Sequence, residues 1–168
     1  MSPDLFPIPG PWRGWLAVVT RPRGGDWLED EAAGWRRAGL DVIVSVLEQD
    51  EAARLELENE AEAARSNRVR FVSFPIPDRG VPASIQAALA LLRTIREELE
   101  AGTNVAVHCR QGIGRSGLIA AGVLVASGVP AGQAVEVVSS ARGMTVPETP
   151  AQLQWIRQLP AGRLVETV

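Results

Sequence analysis

Short apolar runs alternate with longer stretches in which apolar residues recur every three or four positions, and this alternation covers most of the chain. The run from Trp15 to Thr20 is apolar and ends in the turn-rich segment RPRGGD, which predicts a strand. Asp26 can cap a helix that carries Trp27, Leu28 and Trp35 to about Ala38, where Gly39 closes it. Asp41 to Leu47 (DVIVSVL) is short and rich in β-branched residues, so it predicts a buried strand, and Val69 to Phe74 (VRFVSF) predicts another. Ile85, Leu89, Leu92, Ile95 and Leu99 recur at helical spacing and predict an amphipathic helix over residues 83–101, ended by Gly102. The strand predicted over residues 104–108 (NVAVH) runs straight into CRQGIGRSG. Beyond it come a buried helix to about Ser127, a break at GVP, and helices over 131–141 and 149–158.

Two stretches give weaker signals. Residues 48–65 hold seven acids, with Ala53, Leu57, Ala61 and Ala64 on one face, which predicts an exposed acidic helix. The first fourteen residues carry Pro3, Pro7, Pro9 and Pro11 and predict an irregular arm, leaving residues 15–168 as the folded domain. Strands alternating with helices predict a single α/β domain with a mostly parallel central sheet flanked by helices. There is no internal repeat, no low-complexity tract and no dividing linker.

Composition narrows the function classes. A chain of 168 residues with 46% hydrophobic and 22% charged residues is an ordinary globular domain. The formal net charge of −3 argues against a general nucleic-acid partner. The longest apolar stretch, Leu118 to Ala126, is far too short to span a bilayer, so no membrane partner is expected. No basic n-region and apolar core mark a secretory leader, and the single cysteine suits a reducing compartment, so the expected location is the cytoplasm. One Cys and one His cannot supply a zinc site, and no metal or cofactor is expected.

The chemistry concentrates in His108-Cys109-Arg110-Gln111-Gly112-Ile113-Gly114-Arg115-Ser116-Gly117. A strand leads in and a helix leads out, so free N–H groups and the positive end of the helix dipole favour an anion there. Gly112 and Gly114 let the backbone curl until successive N–H groups converge. Arg115 adds a planar donor fork suited to phosphate oxygens. The same field stabilises a thiolate at Cys109, which opens the loop and can attack phosphorus. Ser116 can donate to the sulfur, and His108 can hold the Cys109 backbone. Taken singly, these residues would be a buried thiol, a core histidine, an N-cap and a surface charge; occurring together, they indicate a phosphate loop.

HCRQGIGRSG resembles the His-Cys-x5-Arg-Ser/Thr signature of the protein tyrosine and dual-specificity phosphatases, and in particular their compact kinase-associated-phosphatase-like group. The resemblance spans roughly residues 15–158. It implies a protein-tyrosine-phosphatase-like fold, a cysteinyl-phosphate intermediate, no metal, and a phosphorylated protein or other phosphomonoester as substrate. Cys109, Arg115, Asp78, Ser116 and His108 would be catalytic, and residues Arg110 to Arg115 would bind phosphate.

The leaving oxygen needs a proton, and Asp78, in the proline-bracketed loop PIPDRGVP 31 residues before Cys109, is the expected donor. In the tail RGMTVPETPAQLQWI, Glu148 or Gln152 would correspond to residues that orient the hydrolytic water; helix capping is the alternative for Glu148. Only Arg110 adds positive charge among the variable loop positions, which favours a single phosphate on a protein side chain, phosphotyrosine ahead of phosphoserine or phosphothreonine.

Other readings of the same loop fit less well. GIGRSG fits the dinucleotide pattern G-x-G-x-x-G, but too little chain follows for the second strand and its acid. A rhodanese-like, sulfur-transferring fold also places a cysteine at an anion loop, but would lack the PIPD segment. A non-catalytic phosphate-binding module would normally have lost Cys109, Arg115 or Asp78.

Overall fold

Successive strand residues face opposite sides of a sheet, and in this protein both sides are buried, so the central strands are apolar throughout rather than alternating. The computed structural model describes residues 3–160; residues 1–2 of the predicted arm and 161–168 of the predicted domain lie outside the described residues. Five strands, β1 (Leu5–Ile8), β2 (Leu16–Val19), β3 (Val42–Ser45), β4 (Arg70–Ser73) and β5 (Val105–His108), form one sheet in the order β1-β2-β5-β3-β4. All neighbours are parallel except β1 and β2. The helices are α1 (Leu28–Arg37), α2 (Gln49–Arg54), α3 (Glu60–Ser66), α4 (Ile85–Glu100), α5 (Arg115–Ala126), α6 (Ala131–Arg142) and α7 (Pro150–Arg157). This is the expected α/β domain with a mostly parallel sheet between helical layers.

Each face of the sheet carries its own core. Leu16, Val18, Val42, Val44, Val105 and Val107 pack on one side with α4, α5, α6 and α7. Ala17, Val19, Ile43 and Ala106 pack on the other with Leu28, Ala32 and Trp35 of α1 and with Ala63 and Ala64 of α3. Every residue of α5 is buried, as a helix apolar on all sides requires. The alternation continues to the end of β5: His108 points to the α1/α3 side, with Ala106, while Cys109 joins the opposite core.

Two expectations fail here. The proline-rich start is not irregular throughout: Leu5–Ile8 pair antiparallel with β2, Leu5 opposite Val19 and Ile8 opposite Leu16. Pro7 is tolerated because β1 is an edge strand, where a missing N–H interrupts no further ladder. The Trp12 indole then donates to Ser127 Oγ at 2.9 Å, tying the segment to the end of α5. The acidic stretch, in turn, is two short helices rather than one exposed helix. The chain breaks between them at Glu56, whose φ of 58° is left-handed, and this turn buries Leu57. Glu51 and Glu60 are only 4% and 2% exposed. The Asp26 segment also differs slightly, forming a single 3-10 turn over Gly25–Trp27 with no side-chain cap before α1 begins at Leu28.

Gly117 in the first turn of α5 is required by packing, because a Cβ there would lie 2.0 Å from Val146 Cγ1. Gly117→Ala should therefore cost about 1–3 kcal/mol through overpacking. Thermal denaturation should show the midpoint falling by roughly 2–4 °C per kcal/mol lost.

Candidate active site

The carboxyl ends of the parallel strands bring three segments together, as expected for a ligand crevice in an open α/β sheet. Helix α2, just after β3, supplies Glu51, the loop after β4 supplies Asp78, and the loop after β5 runs from Cys109 into α5. The backbone seams them: Val46 N–H donates to His108 O at 3.1 Å, and Ile76 N–H to Val46 O at 3.0 Å. The resulting cavity, about 270 Å³, is lined by Cys109, Arg110, Gln111, Ile113, Gly114 and Arg115, with Asp78, Arg79 and Glu148 on its rim.

Cys109 Sγ lies inside the curl of its own loop. The Gly112 N–H donates to it at 3.1 Å, and the Ser116 hydroxyl is 2.9 Å away. Gly112 reaches this position with φ of 72°, a conformation that favours glycine. Arg110 and Gln111 are exposed at the mouth, while Gly112 and Gly114 are buried.

Arg115 is 2% exposed and held from behind. Its Nη1 donates to Glu51 Oε1 at 2.6 Å and to Ile76 O at 3.0 Å, and Nη2 donates to Glu51 Oε2 at 3.0 Å. Nη2 also lies 3.3 Å from Asp78 Oδ1. The end-on fork is thus occupied by Glu51, which leaves Nε and the Nη2 proton facing Asp78 for an anion. Burial on its own would raise the Glu51 pKa, but the Arg115 hydrogen bonds and charge prevail and hold it below the ordinary carboxylate value. Burial likewise works against the Arg115 cation, and Glu51 more than offsets it, so the arginine pKa lies above its usual value.

His108 is fully buried behind the loop. Its Nε2 sits 2.6 Å from Glu60 Oε2 and its Nδ1 3.3 Å from Cys109 O, so a carboxylate on α3 orients the ring and the ring contacts the cysteine backbone.

Of the sequence-predicted residues, the structure gathers Cys109, Arg110 to Ser116, His108 and Asp78 at one site. Glu148 and Gln152 reach it too: a Cβ on Gly114 would lie 3.0 Å from an oxygen of each. Both are engaged, however. Glu148 pairs with Arg79 at 3.1 Å. Gln152, which has no solvent exposure, accepts from the Glu148 and Thr149 N–H groups and donates to Gly80 O at 3.0 Å. Glu148 is therefore not the helix cap; Thr149 is, its hydroxyl accepting from the Gln152 N–H.

Sequence reasoning missed Glu51, Glu60 and Arg142. The two glutamates sit among seven acids whose spacing does not separate the buried from the exposed. Arg142 ends α6, where a basic residue is ordinary, yet its Nε donates to Gly112 O at 2.6 Å.

The family model described as "Polymorphic toxin system, DSP-PTPase phosphatase" matches residues 18–129, which include both the Asp78 segment and the Cys109 loop. The chain belongs to this family. It is a cysteine-dependent phosphatase of the protein tyrosine and dual-specificity class. No curated protein sequence matches it. Among solved structures, kinase associated phosphatase, crystallised with its catalytic-site cysteine replaced by serine, superposes with a TM-score of 0.84 at 16% identity over 94% of both chains. The active form of Tk-PTP gives a TM-score of 0.76 at 27% identity, over 95% of this phosphatase and 100% of that chain.

The buried Glu51–Arg115 pair generates a pH-dependent prediction. Because the folded Glu51 pKa is depressed, its stabilisation is complete above the unfolded carboxylate value and is lost as pH falls through the lower, folded value. Glu51→Gln leaves Arg115 buried without its counter-charge and should cost about 3–5 kcal/mol at neutral pH. Denaturant titrations at stepped pH should show the gap to wild type narrowing as the medium is acidified below the ordinary carboxylate range.

Proposed function

We propose that this phosphatase hydrolyses phosphate monoesters on protein side chains through a cysteinyl-phosphate intermediate. The observation that carries the proposal is the position of Cys109 Sγ, held by the Gly112 N–H and the Ser116 hydroxyl at the floor of a cavity that Arg115 and Asp78 share.

In this reading the substrate phosphate enters over the loop and takes Nε and the free Nη2 proton of Arg115. That displaces Asp78 from Arg115; the freed carboxyl, carrying a proton taken up from solvent, protonates the leaving oxygen as its P–O bond breaks and the Cys109 thiolate forms the S–P bond. The converging loop amides and Arg115 hold the charge that develops on the equatorial oxygens. Water then attacks phosphocysteine, Asp78 takes its proton, and Ser116 stabilises the departing thiolate. Gln152 and Glu148 border this water path and double as fasteners of the Asp78 loop. His108 and Glu60 fix the Cys109 carbonyl and act only through it.

The substrate is a phosphorylated protein, a reading that the phosphatase family supports. The single cysteine and the absence, among the described residues, of any helix long and apolar enough to cross a membrane support action in a reducing cytoplasm. The net charge of −3 speaks against nucleic acid as partner. No metal or cofactor takes part in any step.

Cys109→Ser should abolish turnover of an aryl phosphate while preserving binding of the ester, since a hydroxyl is not ionised near neutral pH. Residual activity within tenfold of wild type would refute the nucleophile. Binding without turnover in the wild-type chain would make it a binding module instead.

Asp78→Asn should slow hydrolysis of phosphotyrosine peptides by about 100-fold or more, the scale of one general acid. Nitrophenyl phosphate, whose leaving group needs less protonation, should lose much less. Equal losses on the two substrates would assign the proton to another group.

A further inference from the structure

The loop around Cys109 is gripped from a side the proposed mechanism does not use. Arg142, at the end of α6 and 9% exposed, donates from Nε to Gly112 O at 2.6 Å, and its Nη2 lies 3.5 Å from Gln111 O. The guanidinium is stacked on the Phe6 ring, 3.9 Å from its centroid. Phe6 belongs to edge strand β1, more than a hundred residues before the nucleophile.

The peptide geometry gives this contact a consequence. In a trans peptide the C=O and the following N–H point in opposite directions. Gln111 O shares a peptide plane with the Gly112 N–H, and Gly112 O shares one with the Ile113 N–H. Drawing both carbonyls outward to Arg142 therefore turns both N–H groups inward, and the first already donates to Cys109 Sγ. A rotation of either plane would point a carbonyl dipole at the anion instead.

We infer that Phe6 and Arg142 form a brace that sets the peptide orientation of the phosphate loop, making Phe6 a positioning residue for catalysis. The inference rests on the reading of the Cys109 loop as the phosphate site. The planar ring of Phe6 limits the guanidinium to the plane from which Nε and Nη2 reach successive carbonyls. A lysine at position 142 would keep the charge but reach only one of them.

The test compares full-length wild type, Phe6→Leu, Phe6→Trp and Arg142→Lys. For each, the thermal midpoint, kcat and KM on an aryl phosphate, and the inhibition constant of orthovanadate are measured. Phe6→Leu and Arg142→Lys should weaken vanadate inhibition tenfold or more and lower kcat by a similar factor, with the midpoint within a few degrees of wild type. Phe6→Trp, which restores a ring, should return both to within threefold.

Partial unfolding would lower kcat by removing active molecules but leave KM and the vanadate constant unchanged; that pattern would overturn the brace. If Phe6→Leu does not fold, Arg142→Lys decides by the same criterion, because it leaves β1 and its apolar contacts intact. A wild-type chain that neither turns over the ester nor binds vanadate would refute the phosphate-loop reading itself, a failure distinct from unchanged vanadate binding in the variants.

Discussion

A guanidinium taken out of water must find anionic or carbonyl partners for most of its five N–H groups, and much of this molecule is arranged around that demand at Arg115. Glu51 answers it with both carboxylate oxygens, and Ile76 adds a carbonyl. For Glu51 to reach the arginine, the chain must turn into α2 immediately after β3, and the Glu48–Glu51 capping box holds that turn. For the Ile76 carbonyl to reach it, the segment after β4 must cross the same end of the sheet, which brings Asp78 to the mouth of the cavity. One buried charge thus ties together segments more than sixty residues apart and fixes which edge of the arginine is left facing the Asp78 side of the cavity.

The sheet's two-residue period extends this arrangement to the other helical layer. His108 and Cys109 are adjacent, so they face opposite sides: the thiol toward the α5 core, the imidazole toward Glu60 on α3. The loop is consequently held from both layers of the fold, by Glu60 through His108 below and by Arg142 at its outer edge. Neither contact touches the cavity, yet each fixes a peptide group on which the geometry around the sulfur depends.

Much of this was legible in the chain. The β-branched runs gave β2, β3 and β5, the helical spacing of Ile85 to Leu99 gave α4, and the cysteine loop named its own chemistry through glycines and an arginine at fixed offsets. What escaped notice shares a physical cause. Glu51 and Glu60 look like solvated acids because side-chain burial depends on tertiary partners, Arg115 and His108, that lie far along the chain. Strand β1 was hidden by Pro7, which disqualifies an interior strand but not an edge, and edges are defined only once the sheet exists. Arg142 has the same difficulty: its partners are backbone carbonyls, which carry no sequence signature at all.

The buried amide of Gln152 has a consequence for the energetics of turnover. Its nitrogen is satisfied by the Gly80 carbonyl, two residues beyond Asp78, while its oxygen is committed to the N–H groups that begin α7. Swinging the Asp78 segment outward would strand that nitrogen in a site without solvent, a cost on the order of 1–3 kcal/mol. The exposed Arg79–Glu148 pair adds little to this, as rim ion pairs do. The Asp78 segment is therefore fastened to the start of α7 by a buried hydrogen bond, so that its position is set by packing within the fold.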